Sequence, residues 1–193
     1  MTQTAWMVVG VVLVVALIVG AVLWSRRARS EHLRDQFGPE YDRAVEARGD
    51  QAKAEADLAA REARVKKLDI RPLESAERRE FTARWQQVQA RFVDDPARAV
   101  SFADVLIGEV MNARGYPVTD FDQRAGDISV DHPVVVDHYH KAHSIAVRHS
   151  RGDASTEDLR QAMIHYRALF DNLVGASLRA VEDVGEPMAA AHH

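Results

Sequence analysis

Residues 5–24, AWMVVGVVLVVALIVGAVLW, run for twenty positions without a charge or a proline. At about 1.5 Å per residue a helix of that length spans roughly 30 Å, the hydrocarbon thickness of a bilayer. Twelve of the twenty are Val, Leu or Ile. Each favours insertion by about 0.3–0.6 kcal/mol near the centre of a bilayer, so the sum reaches a few kcal/mol. Trp6 and Trp24 stand at the two ends, where indole rings suit the membrane–water interfaces. The sequence therefore predicts a single transmembrane helix within residues 1–25, with the lipid bilayer as its first partner. A cleaved signal peptide needs a basic start, a shorter apolar stretch and a small-residue cleavage site. MTQTAW carries no Lys or Arg, the run is too long, and Arg26, Arg27 and Arg29 follow at once.

Those three arginines predict orientation. Basic residues flanking a span stay on the cytoplasmic side. The expected topology is a cell-membrane protein with its N-terminus outside and residues 25–193 in the cytoplasm. Ala16 and Gly20 form a small-xxx-small pair that allows self-association of such helices.

Beyond the anchor, both signs of charge are dense. Residues 25–70 carry 11 Lys/Arg and 10 Asp/Glu, and residues 71–193 carry 14 and 19. No single-signed field is present, which argues against nucleic acid as a partner. The absence of cysteine rules out disulfides, thiol nucleophiles and Cys-ligated metals.

The fold class expected is all-α: the transmembrane helix, a charged helical stalk over 26–70, a small antiparallel helical bundle over 71–174, and a disordered tail over 175–193. Within the stalk, Ser30 is read as the cap of a short helix, and Gly38-Pro39 as a stop followed by a start. Tyr41, Val45, Ala52, Ala56, Ala59 and Ala63 trace a thin stripe, too poor in Leu, Ile and Val for a coiled coil. Arg71-Pro72 marks a boundary near 69–73.

Four later segments repeat with helical period. Phe81, Trp85, Val88 and Phe92 share one face. Ala99, Phe102, Ala103, Leu106, Val110 and Ala113 share another, after a cap and proline at Asp95-Pro96. Gly115-Tyr116-Pro117 stops that helix, and a short helix is expected near Phe121. A third helix starts near Asp131-His132-Pro133 with Val135, Tyr139, Ala142 and Ala146 inward; a short strand over 134–136 is the alternative. The last begins at Ser155 or Thr156, with Leu159, Ala162, Met163, Tyr166, Leu169, Phe170 and Leu173 as a broad apolar face.

Six of the nine histidines lie between 132 and 165. His140 and His143 are three apart and able to share an ion on a helix, with Asp137 a turn before; His165 flanks the last apolar face. These three are candidate ligands only, because H-x-x-H is a weak pattern and burial between helices explains such histidines as well. Asp120, Asp122 and Asp127 lack the spacing of a calcium loop. No phosphate-binding loop, dinucleotide fingerprint or nucleophile elbow occurs, so no cofactor is expected and no catalytic residue is nominated.

FGPEYDR (37–43), RFVDDP (91–96), VMNARGYP (110–117), DHPVVVDHY (131–139) and STEDLRQAMIHYRALF (155–170) together resemble a family of small bacterial membrane-anchored proteins. That resemblance implies a bacterial source and a helical domain with no established activity. The function expected is a membrane-tethered, non-enzymatic adaptor or scaffold for a protein partner. The alternative is a small-ligand or metal-binding domain using the histidine-rich segment 132–165.

Overall fold

The structure, a computed structural model, describes the backbone of residues 2–184 and the side chains of residues 13–175. Among the described residues the chain is all-helical, with eight helices and no strand. They are α1 (Thr2–Phe37), α2 (Pro39–Arg48), α3 (Gln51–Val65), α4 (Ser75–Arg91), α5 (Pro96–Ala113), α6 (Phe121–Asp131), α7 (Pro133–Ser150) and α8 (Thr156–Val184). The chain divides into two compact units, residues 1–59 and 60–193. Among the described residues no helix is long and apolar enough to cross a membrane. The described side chains begin at Leu13, part-way along the apolar run.

In the first unit, α1 continues without a break through the basic flank to Phe37. Ser30 is therefore mid-helix rather than a cap. No Gly or Pro lies between Ser25 and Phe37 to interrupt a segment of Arg, Ala, Glu and Leu, all good helix formers. Gly38 ends the helix at φ +49°, and Pro39 opens α2 where its missing N–H costs nothing. Gly49 ends α2 in the left-handed region. Asp50 then accepts from the Lys53 N–H at 2.9 Å and opens α3. Tyr41 donates to Glu55 at 2.7 Å, tying α2 to α3.

The buried positions of α2 and α3 differ from the expected alanine stripe. Ala44, Ala54, Leu58 and Val65 are buried, while Ala52, Ala56 and Ala63 are exposed. The turn at 49–50 resets the helical phase. Burial is driven by apolar area, so Leu58 and Val65 decide which face turns inward rather than the methyl groups around them.

The second unit holds the main core. The final turn of α3 belongs to it: Arg64 Nε and Nη2 donate to Asp127 Oδ1 in α6 at 2.8 and 2.6 Å, and Asp127 is buried. α8 packs against α7 and α5, α5 against α4, and α6 against α7. Asp95 and Asp120 cap α5 and α6 by accepting from the N–H of Arg98 and Gln123 at 3.0 and 2.9 Å. Ser155 and Asp158 cap each other's backbone N–H at the start of α8. The apolar face expected for α8 is buried throughout, and Trp85 stacks on Phe170 with ring centroids 4.8 Å apart.

Residues 134–136 are helical, as the periodicity has them, with Pro133 at the first turn of α7. Two expectations change. Helix α8 passes Gly175, where the sequence places the start of an unstructured tail, and runs to Val184; residues 185–193 lie outside the described residues. Phe102, expected inside, is 40% exposed. The buried arc of α5 is Ala99, Val100, Ala103, Leu106, Ile107, Val110 and Met111, and Phe102 falls at its edge, beside α4.

Candidate functional site

The three candidate histidine ligands part company in the fold. His143 stacks on the Phe121 ring, with centroids 3.6 Å apart and planes 7° from parallel. His140 meets the same ring edge-on at 5.4 Å. The pair thus converges on an aromatic ring from α6. His165 reaches across to α7, where its Nδ1 lies 2.9 Å from His138 Nδ1. One of those nitrogens donates and the other accepts, so the two rings are not both protonated in this contact. Burial, then the His138 and Lys141 charges, hold the His165 pKa below its ordinary value. His143 is likewise lowered, chiefly by burial. Among the described residues no three His, Cys, Asp or Glu side chains are grouped to hold a metal ion.

The residues expected at the membrane interface stand as follows. Trp24 is exposed, as are Arg26, Arg27 and Arg29. Arg27 lies 3.5 Å from Glu31 one turn on. The Trp6 side chain lies outside the described residues.

Two polar networks that the linear reading missed hold the helices of the second unit in register. The first joins the segments 114–116 and 131–132. Arg114, 7% exposed, places Nη1 3.0 Å from His132 Nε2 and 3.2 Å from the Leu173 carbonyl. Tyr116 donates to Asp131 at 2.6 Å. An arginine only donates, so His132 accepts through Nε2 and is the neutral tautomer protonated at Nδ1. The signal in the sequence was the pairing of two distinctive turns, RGYP and DHP, each of which reads locally as helix punctuation.

The second network joins α5, α6, α7 and α8. Tyr166 donates to Asp104 at 3.1 Å, and Arg124 Nη2 lies 3.7 Å from the other Asp104 oxygen. The Arg124 guanidinium also sits 5.8 Å from the Tyr139 ring centre. Burial and the Asp104 charge push the Tyr139 and Tyr166 phenols far up, so both remain protonated. Gly108 gives this arginine its path: a Cβ there would stand 2.9 Å from Arg124 Nη1.

His132 makes folding sensitive to acid. Burial, then the Arg114 charge, lower its folded pKa from the ordinary 6.5. Below about pH 6.5 the unfolded chain binds a proton that the folded chain resists, so stability falls as pH drops through that value. The lowered pKa values of His143 and His165 act in the same direction. We expect urea unfolding of the full chain in detergent to have a lower midpoint at pH 5.5 than at pH 7.5. His132→Gln should flatten part of that difference; an unchanged pH profile would remove His132 from it.

On the outside of the same unit, α4 and α5 enclose a groove of about 280 Å³. Arg84, Val88 and Arg91 of α4 form one wall, and Phe102, Val105 and Glu109 of α5 the other. Each set recurs with helical spacing, three, four and seven positions apart, and so shares a face. Phe102 and Val105 are 40% and 55% exposed. The Arg91 guanidinium lies 4.6 Å from the Phe102 ring centre, and Arg84 pairs with Glu109. A second depression of about 180 Å³ lies between the end of α4 and α8, with Phe92, Met163 and Ile164 beside Arg160 and Arg167.

Fold and surface together define an all-helical protein whose second unit carries a tight apolar core and an open, arginine-rimmed groove. No family model matches the chain, and no curated protein or solved structure matches it.

Proposed function

We propose that this protein is a membrane-tethered, non-enzymatic adaptor whose helical domain binds a protein partner at the cytoplasmic face of the membrane. The observation that carries the tether is the surface of α1. From Leu13 to Trp24 every described Leu, Val, Ile and Trp is exposed, and they occupy all sides of the helix. A helix that is apolar all round requires either a protein core or lipid around it. The preceding residues 5–12 are equally apolar and extend the run to the length of a span. Arg26, Arg27 and Arg29 supply the inside charge, and the bacterial resemblance of the sequence agrees with a cell-membrane location. The binding role is supported by the α4–α5 groove, where an aromatic ring and an arginine stand together at the surface.

Two measurements test this reading. The full chain should stay in the membrane pellet after alkaline carbonate extraction. Val15→Arg combined with Ile18→Arg, each costing about 2.5–3.5 kcal/mol near a bilayer centre, should release it. Extraction of the unaltered chain by carbonate would refute the tether. Because the chain has no cysteine, Asp153→Cys provides a single labelling point. It should resist a membrane-impermeant maleimide in intact cells and react after lysis; labelling in intact cells would reverse the orientation.

A further inference from the structure

We infer that the groove between α4 and α5 receives an acidic amphipathic helix of the partner protein. This rests on the adaptor reading and gives it a chemistry. Arg84 and Arg91 are seven residues apart on α4, two turns or roughly 10 Å along its axis. They bracket Val88, and across from them Phe102 and Val105 present apolar surface to solvent. An apolar strip with cations at two-turn spacing matches a helix carrying apolar residues at i, i+3 or i+4, and i+7, with carboxylates along one border.

The charge balance selects the sign of that border. Glu109 is the groove's one carboxylate and is already paired with Arg84. No carboxylate among the described residues pairs with Arg91, whose cation rests over Phe102 instead. A partner carboxylate there gains a charged hydrogen bond and covers the ring at the same time. The shape favours a helix over a lipid surface. The apolar groups line a concave trough, and Phe102 lies beneath Arg91 rather than projecting as an inserting residue would.

The test uses the full chain in phosphatidylcholine nanodiscs and two synthetic helical peptides. Both carry the same leucine face; one has glutamates on its border and the other lysines. The glutamate peptide should bind at least tenfold more tightly in fluorescence anisotropy. Arg91→Glu should abolish that preference and favour the lysine peptide. Val105→Glu should weaken both peptides tenfold or more. Position 105 is exposed, so the circular dichroism spectrum should not change. A control substitution at the exposed Val118, Val118→Glu, should leave binding unchanged.

Equal binding of the two peptides, or preference unaltered by Arg91→Glu, would overturn the inference. So would two other results. One is a photo-crosslinker at position 105 that joins two copies of the chain, which would make a second copy the occupant. The other is Arg91-dependent binding to phosphatidylserine vesicles that competes with the glutamate peptide, which would assign the groove to lipid. These outcomes are separable from failure of the tether, which carbonate extraction reads independently of groove residues.

Discussion

Gly115→Ala is expected to lower the stability of the second unit by about 3 kcal/mol or more, enough to unfold much of the chain under mild conditions. Two effects combine at this position. Gly115 has φ +99°, a backbone region that L residues avoid, at a cost of order 1–3 kcal/mol. A Cβ there would also stand 2.2 Å from the Asp69 carbonyl oxygen and 3.0 Å from its carbon. Those are backbone atoms, and the strand of chain that bears them is pinned. Arg71 N–H donates to the Arg114 carbonyl at 2.9 Å, and Tyr116 N–H donates to the Met111 carbonyl at 3.0 Å. Neither segment moves without giving up a hydrogen bond. Gly152→Ala is the matched control. It has φ +81° and no neighbouring atom within 4 Å, so it feels the backbone penalty alone. Urea unfolding followed by helical circular dichroism should place Gly115→Ala well below Gly152→Ala. Equal midpoints would mean that the crossing at Asp69 is looser than the structure gives.

Trp85→Ala should cost about 3–5 kcal/mol, the usual range for removing a large aromatic side chain from a packed core. Trp85 is 4% exposed and lies nearly parallel to Phe170, with planes 16° apart. It joins α4 to α8, so its loss removes transfer energy and leaves a hole between two helices. Trp85→Phe should cost far less, because a ring remains against Phe170 and the buried indole N–H, which has no hydrogen-bond partner, is removed with it. The gap between the two variants in the same urea measurement reads the packing contribution. Similar losses for both would show that the indole is held by something other than the stack. Because Trp85 is on the buried side of α4, the helix that forms one wall of the groove, Trp85→Ala should also weaken the acidic peptide, whereas Trp85→Phe should preserve binding.

The linear sequence was most informative where the cause of structure is local. Helix periodicity reported Phe81, Trp85 and the whole inward face of α8, since residues three and four apart share a face whatever the rest of the chain does. The caps at Asp95 and Ser155 were legible for the same reason: a side chain reaches a backbone N–H two or three residues away. The apolar run 5–24 is legible too, because its length and lack of charge are properties of that segment alone.

Local patterns misled where several faces compete for burial. The alanine stripe of α3 lost to Leu58 and Val65, and Phe102 was turned outward when the smaller Ala99 and Ala103 were buried beside Val100 and Ile107. Side-chain size does not rank burial by itself; what the neighbouring helix offers at that height does. The histidines show the same limit. Their spacing puts His140 and His143 within reach of one ion, while the fold gives both to Phe121 and gives His165 to His138.

What sequence alone determined, then, is the all-helical class, the helices of the second unit with most of their starts, and the length of the apolar segment 5–24. Tertiary structure decided the partners. Arg64 meets Asp127 across 63 positions of sequence and Tyr166 meets Asp104 across 62. Arg114 meets His132, and the α4–α5 groove exists only once two helices lie side by side. Periodicity specifies which way a side chain points from its own helix axis. It does not specify which other helix stands there, and in the second unit that is settled by how its helices pack around their shared core.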